Sequence, residues 1–368
     1  MIKMSTLART CGEPNRLCFA PRCGLSLSVA LKDTASHNAG SLVNTANTKR
    51  MLKQQLANSH RWLISAGVCL SLLLVGCDTQ DTTSDGNDTL QVVSTSTIIA
   101  DLTQRVGGDE IEHQGILQPG ADPHVYEPTP KDSVALENAD LILYNGFNLE
   151  PGLIRMINST GIKADKYAVG EVVEPLDFEY QGQQQPDPHV WGDAENAIAM
   201  TEAIRDRLIE LSPEDRQEFE NNAAELIAEL KQIDSWIEEQ IETIPQDRRK
   251  LVTTHDAFQY YTNAYGLEMA GTLIGISTEE QPSAQTVKNL SDSIKKMNIP
   301  AIFAETTINP QLIRTVAEEA GVKLAPEELY SDSIGAPRSS GDTYLKMLQA
   351  NTKSIVESLG GNFQAYAE

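Results

Sequence analysis

Cysteine is almost missing from the greater part of this chain. Residues 77–368 contain one cysteine, Cys77, and the others all precede it: Cys11, Cys18, Cys23 and Cys69. Residues 77–368 therefore cannot form an intrachain disulfide, and they cannot bind a metal ion through a cluster of thiolates. Zinc-finger classes are excluded on this count.

Basic residues are also scarce after the first 76 positions. The chain contains 29 Lys and Arg and 52 Asp and Glu; residues 1–76 hold nine of the basic and two of the acidic residues, which leaves 20 and 50 for residues 77–368. So negative a charge argues against electrostatic binding of nucleic acid or of an anionic lipid surface. It is compatible with a protein that meets cations, and equally with a charge that only keeps the protein in solution.

A long apolar run is missing as well. The most apolar stretch, residues 62–76, follows a basic approach formed by Lys49, Arg50, Lys53 and Arg61. It is too short for a comfortable membrane span and matches the core of an export signal. It ends at Leu74-Val75-Gly76-Cys77, which resembles a bacterial lipobox, whose cysteine is diacylated and becomes the first mature residue. We predict a leader over residues 1–76, with Met51 as the true start, and a lipidated flexible tether over residues 77–88.

One four-residue phrase, Asp-Pro-His-Val, occurs twice, at residues 122–125 and 187–190. The proline fixes its own φ and biases the preceding aspartate toward extended backbone, so each histidine is presented from a stiff loop. Tyr126 and Trp191 follow the histidines by two residues and can pack the base of each loop. Because neutral imidazole is the commonest metal ligand in proteins, the repeat predicts that His124 and His189 share one ion.

Strand-like and helix-like patterns alternate in both halves of the chain, which is typical of α/β folds with mainly parallel sheets. In the first half we predict a strand over residues 90–96, a helix that Thr97 caps and that ends at residues 107–108, and a strand over residues 141–144. In the second half the alternation resumes with the strand before His255 and continues to a closing helix.

Between the halves lies a long amphipathic pattern. Asp193 can cap a helix whose apolar residues share one face: Ala197, Met200, Ile204, Leu208 and Leu211. Ser212, Pro213 and Asp215 are residue types that favour a new helix start. The same spacing then continues until Pro245 through Phe219, Ala223, Leu226, Leu230, Ile233, Ile237 and Ile241.

A helix of about 30 residues is about 45 Å long, enough to cross the molecule. We therefore predict two α/β lobes joined by one long helix, with a first lobe over residues 89–212, a linker helix over 213–244 and a second lobe over 245–368. An ordinary long helix within a bundle is the alternative interpretation.

Residues of the second half can complete a metal site. His255 directly follows a predicted strand, whereas His113 has no comparable context and is interpreted as structural. Three imidazoles would leave an open coordination position, as in a catalytic zinc site, so we expect a carboxylate from the second lobe. Glu305 and Asp332 both qualify, and their spacing alone does not separate them.

Several motifs together resemble the manganese- and zinc-binding lipoproteins of ABC transporters, the cluster A-I substrate-binding family that includes the treponemal and pneumococcal metal receptors. They span residues 89–360 and are, besides the lipobox, LQPGADPHVYEPTPKD, ADLILYNGFNLEP, DPHVWGDAENA, LVTTHDAFQYY, FAETTINP and LYSDSIG. The resemblance implies two α/β lobes joined by one long helix, with the ion in the cleft between them.

The same resemblance implies the ligands: His124 and His189 from the first lobe, and His255 and Asp332 from the second. Glu305 is then a neighbour of the site, or an alternative ligand. Many manganese receptors of the family carry glutamate where this chain has His255, while zinc receptors and the treponemal type carry histidine. The His-rich loop frequent in the zinc branch is missing between His124 and His189. Since selection in the cell depends on geometry and metal supply as well as affinity, the expected ion is manganese or zinc.

The expected function is capture of that ion by an exported, monomeric lipoprotein and its delivery to an ABC transporter permease. The protein would be anchored to the membrane through Cys77 and face the periplasm or the cell exterior. We expect neither a nucleic-acid partner nor enzymatic activity. Two alternatives stay open: a metal-dependent hydrolase with Glu305 as general base, and a surface adhesin that a metal ion stabilises.

Overall fold

The structure is a computed structural model that describes residues 89–159, 162–180 and 183–367. The predicted leader, the tether and the lipidation site Cys77 lie outside these residues. Within them, no helix combines the length and apolar content that crossing a bilayer would require.

The first lobe is built on a four-stranded parallel sheet with the strand order β2-β1-β3-β4. Its strands are β1 (Leu90–Ser94), β2 (Ile111–Gly115), β3 (Leu141–Tyr144) and β4 (Asp165–Ala168). The connecting helices are α1 (Thr97–Gly107), α2 (Pro130–Asn138) and α3 (Pro151–Ser159). The central strands β1 and β3 are apolar because helices cover both faces of a parallel sheet. This arrangement confirms the predicted α/β class.

Two local features of this lobe differ from the sequence predictions. Strand β2 was not predicted, because its sequence IEHQG alternates buried and exposed positions at the edge of the sheet and has little apolar signal. The cap of α1 is Ser96 instead of Thr97: the Ser96 hydroxyl accepts a hydrogen bond from the Ile99 N–H at 3.2 Å.

An antiparallel hairpin of β5 (Asp177–Tyr180) and β6 (Gln183–Pro186) leads into the second Asp-Pro-His-Val loop and then into α4 (Ala194–Leu211). Asp193 caps α4 as predicted, since its Oδ1 accepts from the Glu195 N–H at 2.8 Å. The predicted apolar face of α4 is buried, except that Leu211, in its last turn, is 39% exposed.

The long helix α5 runs from Arg216 to Glu242, preceded by a short 3-10 turn at Pro213–Asp215. All seven residues of its predicted apolar face are buried, from Phe219 to Ile241. This face packs in one hydrophobic cluster with residues of both halves of the chain, including Leu102 and Ile355. The helix therefore joins two lobes, although the exact lobe boundaries stay a prediction.

The second lobe repeats the parallel pattern on a smaller scale. Its strands are β7 (Lys250–Thr253), β8 (Glu268–Thr272), β9 (Ala301–Ile302) and β10 (Lys323–Leu324), and its helices are α6 (Gln259–Tyr265), α7 (Ala284–Met297), α8 (Gln311–Ala320) and α9 (Tyr344–Leu359). Strands β7 and β8 form one parallel pair and β9 and β10 another. The Phe303 N–H donates to the Val252 carbonyl at 2.9 Å and links the two pairs.

Buried hydrogen bonds fasten the lobes to each other beside α5. The Trp191 indole N–H donates to the Ser331 carbonyl at 2.9 Å, and the Tyr344 hydroxyl donates to the Trp191 carbonyl at 2.5 Å. The Tyr260 hydroxyl donates to the Asp187 carbonyl at 2.9 Å. The backbone before and after His189 is therefore held by side chains of the second lobe.

A buried carboxyl, Glu150, organises the loops at the carboxyl ends of β1 and β3. Its Oε1 accepts from the Thr95 hydroxyl at 2.8 Å and from the Asn145 N–H at 2.7 Å. The Asn145 side chain in turn donates to the Pro188 carbonyl at 2.9 Å, directly before His189. Burial raises the pKa of Glu150 to about 7, although these hydrogen bonds lower it.

This pKa gives the folding stability a pH dependence that can be measured. A raised pKa means that the folded protein binds the proton more tightly than the unfolded chain, so the stabilisation is present at pH 4.5 and is lost as the pH rises through 7. Glutamine cannot ionise. As the pH rises from 5 to 8, the free energy of unfolding of the Glu150→Gln variant should therefore increase by up to about 3 kcal/mol relative to that of the wild type. Urea unfolding of both metal-free proteins at the two pH values checks this; an unchanged difference would contradict it.

Candidate metal centre

Four side chains from both lobes converge at the cleft: His124, His189, His255 and Asp332. One nitrogen of each histidine and a carboxylate oxygen of Asp332 all lie within 4.8 Å of one another. The Nε2 atoms of His124 and His189 are 3.2 Å apart. The Asp332 oxygens lie 3.4 Å from Nε2 of His189 and 3.3 Å from Nε2 of His255. The cluster is buried, and His124 is its most exposed member at 4%.

The two Asp-Pro-His-Val loops fold in the same way around their aspartates. Oδ1 of Asp122 accepts from the His124 N–H at 2.9 Å, and Oδ1 of Asp187 accepts from the His189 N–H at the same distance. Such a turn is the usual local preference of aspartate, because its short side chain reaches the backbone two residues on. The repeated sequence thus produces a repeated conformation that points each imidazole into the cleft.

Carboxylates orient two of the three imidazoles through Nδ1. His189 Nδ1 lies 2.7 Å from Asp187 Oδ1, and His255 Nδ1 lies 2.5 Å from Glu305 Oε2. The other Glu305 oxygen accepts from the N–H groups of Thr254 and His255, each at 2.8 Å. A carboxylate on Nδ1 fixes the tautomer that leaves Nε2 free as an electron-pair donor.

Glu305 reaches this position through the end of the second sheet. It follows β9 and forms a parallel bridge with Leu329, three residues before Asp332. Glu305 and Asp332 therefore lie on adjacent chain segments with separate roles. Glu305 holds the back of the His255 ring, while Asp332 faces the space between the three Nε2 atoms.

The burial and charge of the cluster favour a cation. Burial together with the neighbouring imidazoles lowers the pKa of His124 to about 3, against the effect of Asp332. Burial alone would also lower the pKa of His189, but Asp187 and Asp332 raise it to about 9. Three carboxylates thus surround three imidazoles in a region with little water to screen them.

Several polar atoms of the cluster have no hydrogen-bond partner among the described residues. They are Nε2 of His255 and both oxygens of Asp332, and all are buried. A buried polar atom without a partner costs about 1–3 kcal/mol. A divalent ion coordinated by these atoms would remove that cost, and imidazole with carboxylate is a donor set that zinc and other transition metals accept.

Glu305 was expected near the site, but two other groups that hold the imidazoles in place were not predicted from the sequence. Asp187 stands two residues before His189, and the duplicated motif was a visible signal for it. Asn145 carried no such signal, because its contact with Pro188 depends on the tertiary structure. His113 lies on β2, away from the cluster, where its Nε2 is 3.0 Å from the Ser94 hydroxyl.

Comparisons with known proteins agree with this geometry. Residues 92–358 match the model of the family described as zinc-uptake complex component A, periplasmic. The chain is 34% identical over 304 residues to the metal ABC transporter substrate-binding lipoprotein SsaB of Streptococcus sanguinis, covering 79% of this chain and 97% of the relative. It is 31% identical over 291 residues to the manganese-binding lipoprotein MntA of Halalkalibacterium halodurans, covering 79% and 95%.

A solved structure is also similar in fold. The periplasmic zinc-binding protein TroA from Treponema pallidum superposes with a TM-score of 0.69 at 32% sequence identity, covering 73% of this chain and 98% of that chain. The family model matches residues 92–358, which include the long helix and most of both lobes, so the family resemblance predicted from the motifs is confirmed. This chain belongs to the zinc-uptake complex component A family of metal-transport proteins.

Proposed function

We propose that this protein is the substrate-binding lipoprotein of an ABC transporter, which captures a manganese or zinc ion between its lobes and delivers it to a membrane permease. The observation that carries the proposal is the convergence of four buried donor side chains within 4.8 Å, two of them from each lobe. Relatives that are named as a manganese-binding lipoprotein and as a metal ABC transporter substrate-binding lipoprotein support it.

The proposed ligands are Nε2 of His124, His189 and His255, and one or both oxygens of Asp332. Because both Asp332 oxygens lack a hydrogen-bond partner among the described residues, either is available to the ion. Glu305 is not a ligand in this proposal, since its oxygens are taken by two backbone N–H groups and by the His255 ring. Its role is to orient His255.

The proposal covers both manganese and zinc. The donor set of three imidazoles and one carboxylate binds zinc more strongly in raw affinity, while selection in the cell depends on geometry and metal supply. Relatives of this chain are named for manganese, and a solved structure of similar fold is named for zinc. Elemental analysis of the purified protein, followed by competition between the two ions, identifies the one that this chain prefers.

We further propose that the mature protein is exported, works as a monomer, and is anchored through lipid on Cys77 with residues 77–88 as a tether. The lipobox-like ending of the leader supports this, as do relatives named as lipoproteins. Capture outside the membrane followed by handover to a permease requires such a location. The tether lets the folded lobes reach the permease while the lipid keeps them near it.

A carrier role fits the surroundings of the ion better than hydrolysis does. A hydrolase needs a general base that can reach the metal-bound water. Glu305 was the candidate for that base, but its oxygens are engaged with Thr254, His255 and the His255 ring. The arrangement favours holding an ion over activating a water molecule.

Removing one proposed ligand should abolish tight metal binding without unfolding the protein. His124→Ala is the most informative variant, because His124 is the most exposed of the four proposed ligands. We expect the affinity for Zn²⁺ and Mn²⁺ to fall by at least about 100-fold. Even the loss of a residue that only orients a ligand lowers metal affinity about 10- to 100-fold. Isothermal titration and circular dichroism measure binding and folding separately.

His113→Ala is the matched control, because His113 is outside the cluster, on β2. It should keep the wild-type affinity. Equal affinities of the His124→Ala variant and the wild type would refute the assignment of ligands. Unfolding of the His124→Ala variant in the absence of metal would instead support a structural role for this histidine.

Replacing the carboxylate behind His255 should weaken binding although no ligand is lost. In Glu305→Gln the amide can donate to His255 Nδ1, which would move the ring proton to Nε2, the atom that should bind the ion. We expect an affinity about 10- to 100-fold lower. Glu229→Gln, on the surface of α5 and paired with Arg105, is the control and should leave the affinity unchanged. Wild-type affinity in the Glu305→Gln variant would contradict this role.

A further inference from the structure

The aspartates of the two Asp-Pro-His-Val loops differ in the partner of their second hydrogen bond. Asp187 uses Oδ1 for the His189 ring as well as for the His189 N–H. Asp122 instead uses its second oxygen, Oδ2, to accept from the Thr278 hydroxyl at 2.6 Å. Asp122 belongs to the first lobe and Thr278 to the second. The first loop is therefore tied across the cleft, next to His124.

Thr278 lies in the loop that connects β8 with α7, which we call the cleft loop (residues 273–283). The base of this loop is fastened on both sides of His255. The N–H groups of Leu273 and Ile274 donate to the Thr254 carbonyl at 3.0 and 2.9 Å. The Asp256 N–H donates to the Gly275 carbonyl at 3.2 Å. One end of the cleft loop is thus fixed to the backbone around His255, and its Thr278 reaches the aspartate that holds His124.

The cleft loop borders the open side of the metal centre. A groove of about 250 Å³ between the lobes is lined by His124, by Phe147 and Pro188 of the first lobe, and by Ile276 and Glu280 of the cleft loop. His124 is 4% exposed, whereas the side chains of His189 and His255 are fully buried. An ion that leaves the cluster on this side passes His124 and the cleft loop.

Other hydrogen bonds between the lobes lie deeper. The Ser333 hydroxyl is 3.0 Å from the Thr97 hydroxyl, and both of these side chains are buried. Ser333 is fully buried, whereas Thr278 is partly exposed and its neighbours Ser277 and Glu279 line the groove. A contact at the rim can open without disturbing the buried contacts. The Thr278–Asp122 hydrogen bond is suited to open and close while the lobes stay together.

We propose that Thr278 is a positioning residue that controls the release of the ion. By donating to Asp122 it holds the cleft loop across the groove and keeps the His124 loop in place. The breaking of this hydrogen bond therefore limits the rate at which the ion dissociates. This inference rests on the proposed function, because it assumes that the cluster binds the transported ion. It assigns Thr278 no contact with the ion itself.

The test compares two replacements of Thr278 in the full chain. Thr278→Val keeps the shape and removes the hydroxyl, and Thr278→Ser keeps the hydroxyl. Each protein is loaded with Zn²⁺, mixed with excess chelator in a stopped-flow instrument, and its dissociation rate is recorded. A hydrogen bond to a charged group is worth about tenfold or more, so we expect dissociation about tenfold faster in Thr278→Val and a rate near that of the wild type in Thr278→Ser.

A spectroscopic readout separates this role from a change in coordination. The visible absorption of the Co²⁺-loaded proteins should be the same in Thr278→Val and the wild type, because the ligands are untouched. Thr286→Val is the matched control: this threonine, also partly exposed, bonds to Ser283 within its own lobe, and its loss should leave the dissociation rate unchanged.

Three results would overturn the inference: a wild-type dissociation rate in Thr278→Val, a changed Co²⁺ spectrum, or equal acceleration in Thr286→Val. Failure of the wild-type protein to bind Zn²⁺ or Mn²⁺ would instead refute the proposed function. The two failures are therefore distinguishable in the same set of measurements.

Discussion

The site depends on the interaction between two buried side chains, Asp332 and His189. The two side chains come from different lobes, and Oδ1 of Asp332 lies 3.4 Å from Nε2 of His189. Burying a carboxylate is costly unless opposite charge or hydrogen bonds compensate it. The imidazoles supply part of this compensation and hold the pKa of Asp332 well below its usual range, although burial alone would raise it. A divalent cation between the same atoms would supply the rest.

The rest of the fold keeps the two lobes in the position that this interaction requires. The apolar face of α5 packs in one hydrophobic cluster with residues of both lobes. Trp191 and Tyr344 join the lobes again beside the metal centre through buried hydrogen bonds. A displacement of an ångström between the lobes would separate Asp332 from His189, so a rigid frame is a condition of the site.

The sequence predicted those features that depend on local patterns. The spacing of apolar residues from Phe219 to Ile241 predicted α5, because a helix repeats its buried face every three to four residues. The repeated Asp-Pro-His-Val phrase predicted two similar loops, since proline and aspartate restrict the backbone locally. The choice between Asp332 and Glu305 could not be made from spacing and came from the family resemblance.

The sequence could not predict features that depend on distant partners. Strand β2 was missed because an edge strand needs few apolar residues, and Leu211 was placed on a buried face although its turn lies at the end of α4. The roles of Asp122 and Asp187 look identical in the sequence, yet one bonds to Thr278 and the other to its own histidine. That difference arises from what stands opposite each loop in the folded molecule.

The hydrogen bond from the Tyr344 hydroxyl to the Trp191 carbonyl affects how a partner can distinguish the molecule with a bound ion from the molecule without one. It fixes the chain two residues beyond His189 to the last helix, α9. Wide separation of the lobes would break it together with the shared hydrophobic cluster, so the outline of the molecule should change little with loading. A membrane partner that prefers the ion-bound form must then recognise a small surface around the groove. There the charge of the ion and the order of the neighbouring loops differ between the two forms.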